Sequence, residues 1–162
     1  MSPTPWWKGA RGEWYVAIQL ALFALVIFGP RNLAAWPEWP APYARVASVS
    51  GILLLPLGAL LIASGIIRLG AHATPLPYPK GGAPLRQTGP YRLVRHPIYS
   101  GGVFMALGWA LFIHGRLTIV YALLLFVFLD LKARREERWL MERYPEYAEY
   151  RTRVRKLVPF LY

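Results

Sequence analysis

The sequence predicts an all-α integral membrane protein: about four transmembrane helices, the last two a hairpin, with a long cytoplasmic loop before the hairpin and an amphipathic helix after it. Three observations carry this. Of 162 residues, 56% are hydrophobic and only 17% charged, where a soluble globular domain has about 25% charged. The apolar residues fall into four uncharged runs, residues 14–30, 46–68, 97–114 and 117–131, the last interrupted only by Asp130. The cations are one-sided. With the termini on one side, that side holds Lys8, Arg11, Arg68, Lys80, Arg86, Arg92, Arg95 and every Lys and Arg after Leu131; the opposite loops hold Arg31, Arg45 and Arg116. Basic loops stay cytoplasmic, so both termini and the loop 70–96 are expected inside.

A spanning helix needs about 20 apolar residues for a hydrocarbon core ~30 Å thick. The second run meets this; the first and third sit at the lower limit, and the fourth is short unless its helix continues past Asp130. Only His114, Gly115 and Arg116 separate the third run from the fourth, which makes them a hairpin. Gly29-Pro30-Arg31-Asn32 follows the first run and offers no small-residue cleavage site, so that run is read as a retained helix. Trp36, Trp39 and Tyr43 fit an interfacial aromatic belt. The net charge of +11 then reflects topology and attraction to anionic headgroups, and neither a nucleic-acid partner nor an obligate protein partner is inferred. There is no cysteine, which excludes a disulfide scaffold and a thiol nucleophile. His72, His96 and His114 fall in separate loops and ends, so no metal site is expected.

One domain is expected, organised as residues 1–69 (two helices), 70–96 (loop), 97–131 (hairpin) and 132–162 (cytoplasmic helical tail). The loop carries Pro75, Pro77, Pro79, Pro84 and Pro90 with Gly81, Gly82 and Gly89, which predicts extended, irregular backbone. Its apolar residues, Leu76, Tyr78, Leu85, Tyr91, Leu93 and Val94, favour an ordered loop on the membrane face. Residues 132–144 continue the fourth helix until Pro145. A second short helix is expected over 146–156, with Tyr147, Tyr150 or Arg151, and Val154 on one face.

The densest polar stretch is residues 89–102. Pro97 suits the first turn of a helix, where its missing N–H costs nothing. His96 is then held extended just outside, able to point across a helix N-terminus that attracts anions. Gly101 and Gly102 allow another helix or a ligand to approach. The second constellation, residues 132–140, extends the hairpin's other arm. A three-residue turn brings the two cytoplasmic ends together, so Glu136 and His96 should be neighbours, and Lys132 and Glu136, four residues apart, share a face.

Arg95-His96-Pro97-Ile98-Tyr99, followed by Glu136-Glu137-x-x-Leu140 and by Tyr147-x-x-Tyr150-x-x-x-Val154-x-x-x-Val158-Pro159, resembles the isoprenylcysteine carboxyl methyltransferase and phospholipid methyltransferase superfamily over roughly residues 85–160. The resemblance implies an integral membrane enzyme that uses S-adenosylmethionine, releases S-adenosylhomocysteine and methylates a lipophilic or membrane-embedded acceptor, a carboxylate or an amine. It implies a cofactor site lined by Tyr91, His96, Pro97, Ile98 and Tyr99, with backbone contacts from Leu85 and Arg86, and with Glu136 and Glu137 beside it. Carboxyl-methylating members place an Arg one helical turn before the Glu; here Lys132 stands there and lacks arginine's planar fork. Arg135 is the alternative, on a different face. Lys132, Arg135 and His96 are therefore the candidate catalytic residues, with His96 or Glu137 the candidate base for an amine. Two rival readings are an NADPH-dependent membrane reductase of the sterol reductase type, in which Asn is usual where Ile98 stands, and a non-catalytic membrane module. The basic cytoplasmic face suits a prokaryotic plasma membrane.

Overall fold

A computed structural model describes residues 12–76 and 84–162. Lys8, Arg11, Pro77, Tyr78, Pro79, Lys80, Gly81 and Gly82 lie outside the described residues, and so do the expectations placed on them. Five α-helices follow in order: α1 (Glu13–Phe28), α2 (Ala41–Leu69), α3 (Pro97–Phe112), α4 (Arg116–Arg143) and α5 (Tyr147–Arg153). Among the described residues there is no strand; one isolated parallel bridge pairs Val94 with Arg155.

The apolar runs and the helices coincide closely, with instructive differences. α2 starts at Ala41 because Pro40 and Pro42 suit a helix N-terminus, and it carries Pro56 in its interior. Among the described residues, its span is the one that is long and apolar enough to cross a membrane by length and composition. α1 and α3 have 16 residues each, about 24 Å of helix at 1.5 Å per residue, short of a ~30 Å core. α4 does run past Asp130, to 28 residues, but its second half is charged. The four expected spans thus reduce to one that meets both criteria. The loop is also less extended than expected: Gly70–His72 and Gly89–Arg92 form 3-10 turns, the second with Pro90 in its first turn. α5 ends at Arg153, three residues early, because Val154 turns to extended backbone and the next residue bridges to Val94.

Helix pairing rests on two kinds of surface. Val26 of α1, Val103 and Ala106 of α3, and Ala122, Leu125 and Leu129 of α4 form one buried apolar cluster. α2 meets α3 instead through glycines. Gly51, Gly58 and Gly65 recur every seven residues, the interval that keeps side chains on one helix face. A Cβ on Gly58 would lie 2.6 Å from the carbonyl oxygen of Gly101, and one on Gly51 would lie 2.6 Å from that of Gly108. The two backbones therefore touch, and helix contact in an apolar medium depends on such approach. At the hairpin end His114, with φ 54, places Nε2 2.9 Å from Ser48 Oγ and 3.0 Å from the Ala44 carbonyl. The turn is thereby pinned to α2, which fixes where α3 ends and where α4 begins its antiparallel course back to the loop.

Gly58→Ala is expected to lower stability by about 1–3 kcal/mol, the usual cost of overpacking, because the added carbon meets backbone on a rigid helix. Gly70→Ala, with nothing within 4 Å, should cost only the penalty of its backbone, φ 56 and ψ −131, a sparsely populated region worth about 1–3 kcal/mol. Thermal unfolding of the two variants in the same detergent checks both values.

Candidate active site

The two ends of the hairpin away from its turn meet as the three-residue turn requires. His96 is the residue before α3, with φ −125 and ψ 66; it avoids the helical region that a following proline disfavours but falls short of the extended backbone expected there. Its carbonyl accepts from the Ser100 N–H at 2.9 Å and the Ser100 hydroxyl at 3.0 Å. The N–H groups of Arg95 and His96 donate to the carbonyls of Arg155 and Lys156 at 2.8 and 3.2 Å. The residues after α5 thus hold the segment before α3 by its backbone.

The buried carboxylate of Glu137 ties these elements together. Its Oε1 accepts from Arg95 Nε at 2.7 Å and lies 3.1 Å from His96 Nε2, and Arg151 Nε stands 3.8 Å from Oε2. Arg95 also donates to the carbonyls of Arg151 and Val154. Burial alone would favour the neutral acid, but the hydrogen bonds and charges of His96 and Arg95 prevail and hold the Glu137 carboxyl at about 2.

One residue earlier, Glu136 points the other way, into an open-mouthed cavity of about 400 Å³ lined by residues of α1, α2, the loop, α3, α4 and α5. Its Oε2 accepts from the Tyr99 hydroxyl at 2.9 Å and lies 3.8 Å from His96 Nδ1. The His96 and Tyr99 rings stack with centroids 5.4 Å apart and planes 5° from parallel. The Tyr150 hydroxyl donates to the Tyr91 carbonyl at 2.6 Å, setting the Tyr91 ring against the cavity wall. Burial, reinforced by Glu136, pushes the Tyr91 hydroxyl well above its ordinary pKa, so it stays a neutral donor. Buried Arg86 Nε has no hydrogen-bond partner among the described residues, although its side chain lines the cavity.

At the α1 side of the cavity stands Lys132, fully buried. Its ammonium donates to Gln19 Oε1 and, at 2.7 Å, to the Pro75 carbonyl, and lies 5.1 Å from the Tyr99 ring centroid. Burial lowers the Lys132 pKa to about 8, against the opposing pull of Glu136.

Leu85, Arg86, Tyr91, His96, Pro97, Ile98, Tyr99, Lys132 and Glu136 all line this one cavity. Arg135 and Glu137 do not. On a helix, Lys132 and Glu136 face one way while the residues on either side of Glu136 are turned off by about 100°. That places Arg135 over the rings of Tyr15 and Trp139, at 5.9 and 5.0 Å, and Glu137 behind His96. The geometry adds Gln19, His72, Tyr144 and Tyr147 to the lining. Gln19 was visible as the one amide in the first apolar run; nothing in the spacing of His72 marked it.

The profile of the phospholipid methyltransferase family matches residues 46–147, from the first turns of α2 to the start of α5. The chain belongs to this family. The family is one of membrane-associated methyltransferases, and the match takes in α2, which the resemblance over residues 85–160 had left out. The sequence is also similar to the cobalt-zinc-cadmium resistance protein CzcN of Cupriavidus metallidurans, 28% identical over 152 residues that make up 93% of this chain and 63% of that relative. The chain therefore spans less than two thirds of the relative's length. Within the family match lie both arms of the hairpin and every cavity residue from Ile66 to Tyr147; α1 with Gln19, and Tyr150, lie outside it.

Because the folded Glu137 pKa is depressed from 4.5 to about 2, the stability it contributes is present above pH 4.5 and is lost as pH falls towards 2. Glu137→Gln is expected to lower stability by about 3 kcal/mol at neutral pH, as for breaking a buried pair, and to flatten the acid limb. Unfolding midpoints of both proteins from pH 7 to pH 2 check this.

Proposed function

We propose that this chain is an integral membrane methyltransferase that takes its methyl group from S-adenosylmethionine and passes it to a lipophilic acceptor, a carboxylate or an amine. The single observation that carries the reading is that Glu136 and Arg86, whose buried Nε has no hydrogen-bond partner among the described residues, line one cavity together with Tyr91 and Tyr99. An amino-acid ligand presents an ammonium and a carboxylate, and these two side chains supply one opposite charge for each. The cavity volume lies within the 300–1,000 Å³ of small-ligand sites. The bound cofactor would supply an electrophilic methyl group on a sulfonium.

The chain's own residues then have distinct tasks. Glu136, oriented by the Tyr99 hydroxyl and by His96, holds the ligand's ammonium end. Tyr91 and Tyr99 offer ring faces that attract a cation by about 0.5–2 kcal/mol. Lys132 faces the same space from the α1 side and orients the acceptor. Alignment of the two reactants is the main requirement of a methyl transfer, and fixed geometry can supply most of the rate gain. His96 is available as a base where the acceptor is an amine, while Glu137, locked by Arg95 and His96, acts as the group that positions His96. Arg135 is set aside as a catalytic candidate.

The membrane placement belongs to the same proposal. α1, α3 and α4 cross alongside α2 as one domain, with both termini on the basic, cytoplasmic side, in the plasma membrane of a prokaryote. Large exposed apolar residues on α1, α2 and α4, among them Leu20, Ile27, Leu53, Leu60, Leu123 and Val127, support this arrangement. The relative's name refers to cobalt, zinc and cadmium, but among the described residues no group of three or more His, Cys, Asp or Glu could hold a metal ion. No metal chemistry is therefore taken from it.

Titration calorimetry of the protein in detergent is expected to show S-adenosylhomocysteine binding in the micromolar range, which corresponds to about −8 kcal/mol. Glu136→Ala should weaken it by at least about tenfold, a loss of ~1.4 kcal/mol, and His96→Ala should also weaken it. Binding of NADPH in place of both adenosyl ligands would move the chain to the reductases, and no binding by a folded sample would overturn the enzyme reading.

A further inference from the structure

Residues 157–162 form a tight hook on the side of α4. Leu157 is buried, and the N–H groups of Leu157 and Val158 both donate to the Tyr162 carbonyl at 2.7 Å. The N–H groups of Leu161 and Tyr162 return to the Val158 carbonyl at 3.1 and 3.0 Å. This closed turn holds Phe160 at φ 65, a region that bulky side chains avoid. The result of the strained turn is outward display: Phe160 is 83% exposed and its neighbour Leu161 is 79% exposed. Two adjacent large apolar side chains held out by ordered backbone need an apolar partner.

The position of the hook identifies that partner. Tyr162 places its ring centroid 6.3 Å from that of Phe126 and donates its hydroxyl to Asp130 Oδ1 at 3.0 Å. Lys156 Nζ reaches the same carboxylate oxygen at 2.7 Å, and Arg134 Nε reaches Oδ2 at 2.7 Å. The hook is therefore level with residues 126–130. On α4 the exposed apolar residues Val120, Leu123, Leu124, Val127 and Leu131 recur at three- and four-residue steps and form one outward stripe. Tyr162 thus docks no further towards the cytoplasm than the last residue of that stripe. Arg134 and Lys156, two cations on one carboxylate, stand at its cytoplasmic edge, where lipid phosphates lie.

We propose that Phe160 and Leu161 insert among the acyl chains of the cytoplasmic leaflet, making residues 157–162 a lipid-bound anchor continuous with the bilayer-facing side of α4. The inference rests on the proposed crossing of the bilayer by α4. It also gives the anchor a target inside the protein. Lys156 ties the hook to Asp130 by its side chain, and by its carbonyl it accepts the His96 N–H at 3.2 Å. An anchor set in the leaflet thereby fixes the backbone beside the candidate active site.

The chain has no cysteine, so a single introduced cysteine carries a unique nitroxide label. Leu161→Cys, and Phe160→Cys as a second hook variant, are labelled in lipid nanodiscs beside Leu124→Cys on the α4 stripe and Thr152→Cys on exposed α5. Collision with dissolved oxygen and with a water-soluble nickel chelate reads the depth of each label. Both hook labels are expected to favour oxygen, as the Leu124→Cys label does, at a depth of about 5–10 Å below the headgroup boundary, while the Thr152→Cys label favours nickel. Hook labels that favour nickel while Leu124→Cys favours oxygen would overturn the anchor and leave the membrane reading intact. A Leu124→Cys label that favours nickel would overturn the crossing by α4, and the anchor with it.

Discussion

Buried between α3, α4 and the residues after α5, the Glu137 carboxylate is the contact on which the half of the protein around the cavity depends. A carboxylate removed from water costs several kcal/mol unless its charge is met. Here Arg95 and His96 meet it from one side and Arg151 from another. Meeting it requires the segment before α3 to lie against α4 at one register, and requires α5 to pack beneath. That register also fixes the rotation of α4 about its axis. With Glu137 turned to Arg95, Glu136 and Lys132 must face the cavity, and Arg135 must face the aromatic rings of Tyr15 and Trp139. A shift of one residue would put Glu136 in the ion pair and empty the cavity of its carboxylate.

Much of this was legible in the sequence, and the part that was not has a common cause. Apolar runs locate helices because burial in protein or lipid is a one-dimensional property of a segment. Pro97 marks a helix start because the proline ring acts on its own neighbours. The short turn at 113–115 placed Glu136 near His96 through chain connectivity alone. What escaped depends on which side of a helix faces what. Glu136 and Glu137 are adjacent and chemically identical, and only the packed rotation of α4 makes one a cavity group and the other a buried counter-ion. The stripe of Gly51, Gly58 and Gly65 carried a readable interval but became meaningful only opposite Gly101 and Gly108. Tyr150 or Arg151 was expected to share a face of the tail helix with Tyr147 and Val154; it is Tyr150 that turns inward, and its partner, the Tyr91 carbonyl, lies 59 residues away.

The cavity joins two environments that rarely share a wall. Towards α5 and the loop it offers Arg86, Glu136 and tyrosine hydroxyls, a surface suited to a charged, water-borne ligand. Towards α1 and α2 it offers Ile66 and Leu69 with Lys132 tethered to Gln19. Under the proposed function, a donor from water and an acceptor from the lipid phase would meet there at a near-attack separation of about 3–3.5 Å. Helix ends roofed by a proline-rich loop are a direct way to build that junction.

The glycine contact between α2 and α3 divides the molecule unequally. Backbones in direct contact cannot slide without colliding, so α2 and α3 behave as a single stiff spar, pinned at the far end by His114. α1 has no such bond; it leans on side chains of α3 and α4 and reaches the cavity through one amide. α1 is thus a wall held by side-chain packing, and it is the wall that the family profile does not include. Of the candidate site, His96 and Tyr99 sit at the end of the rigid spar while Glu136 and Lys132 ride on α4, so the site is only as rigid as the joint that Glu137 closes between them.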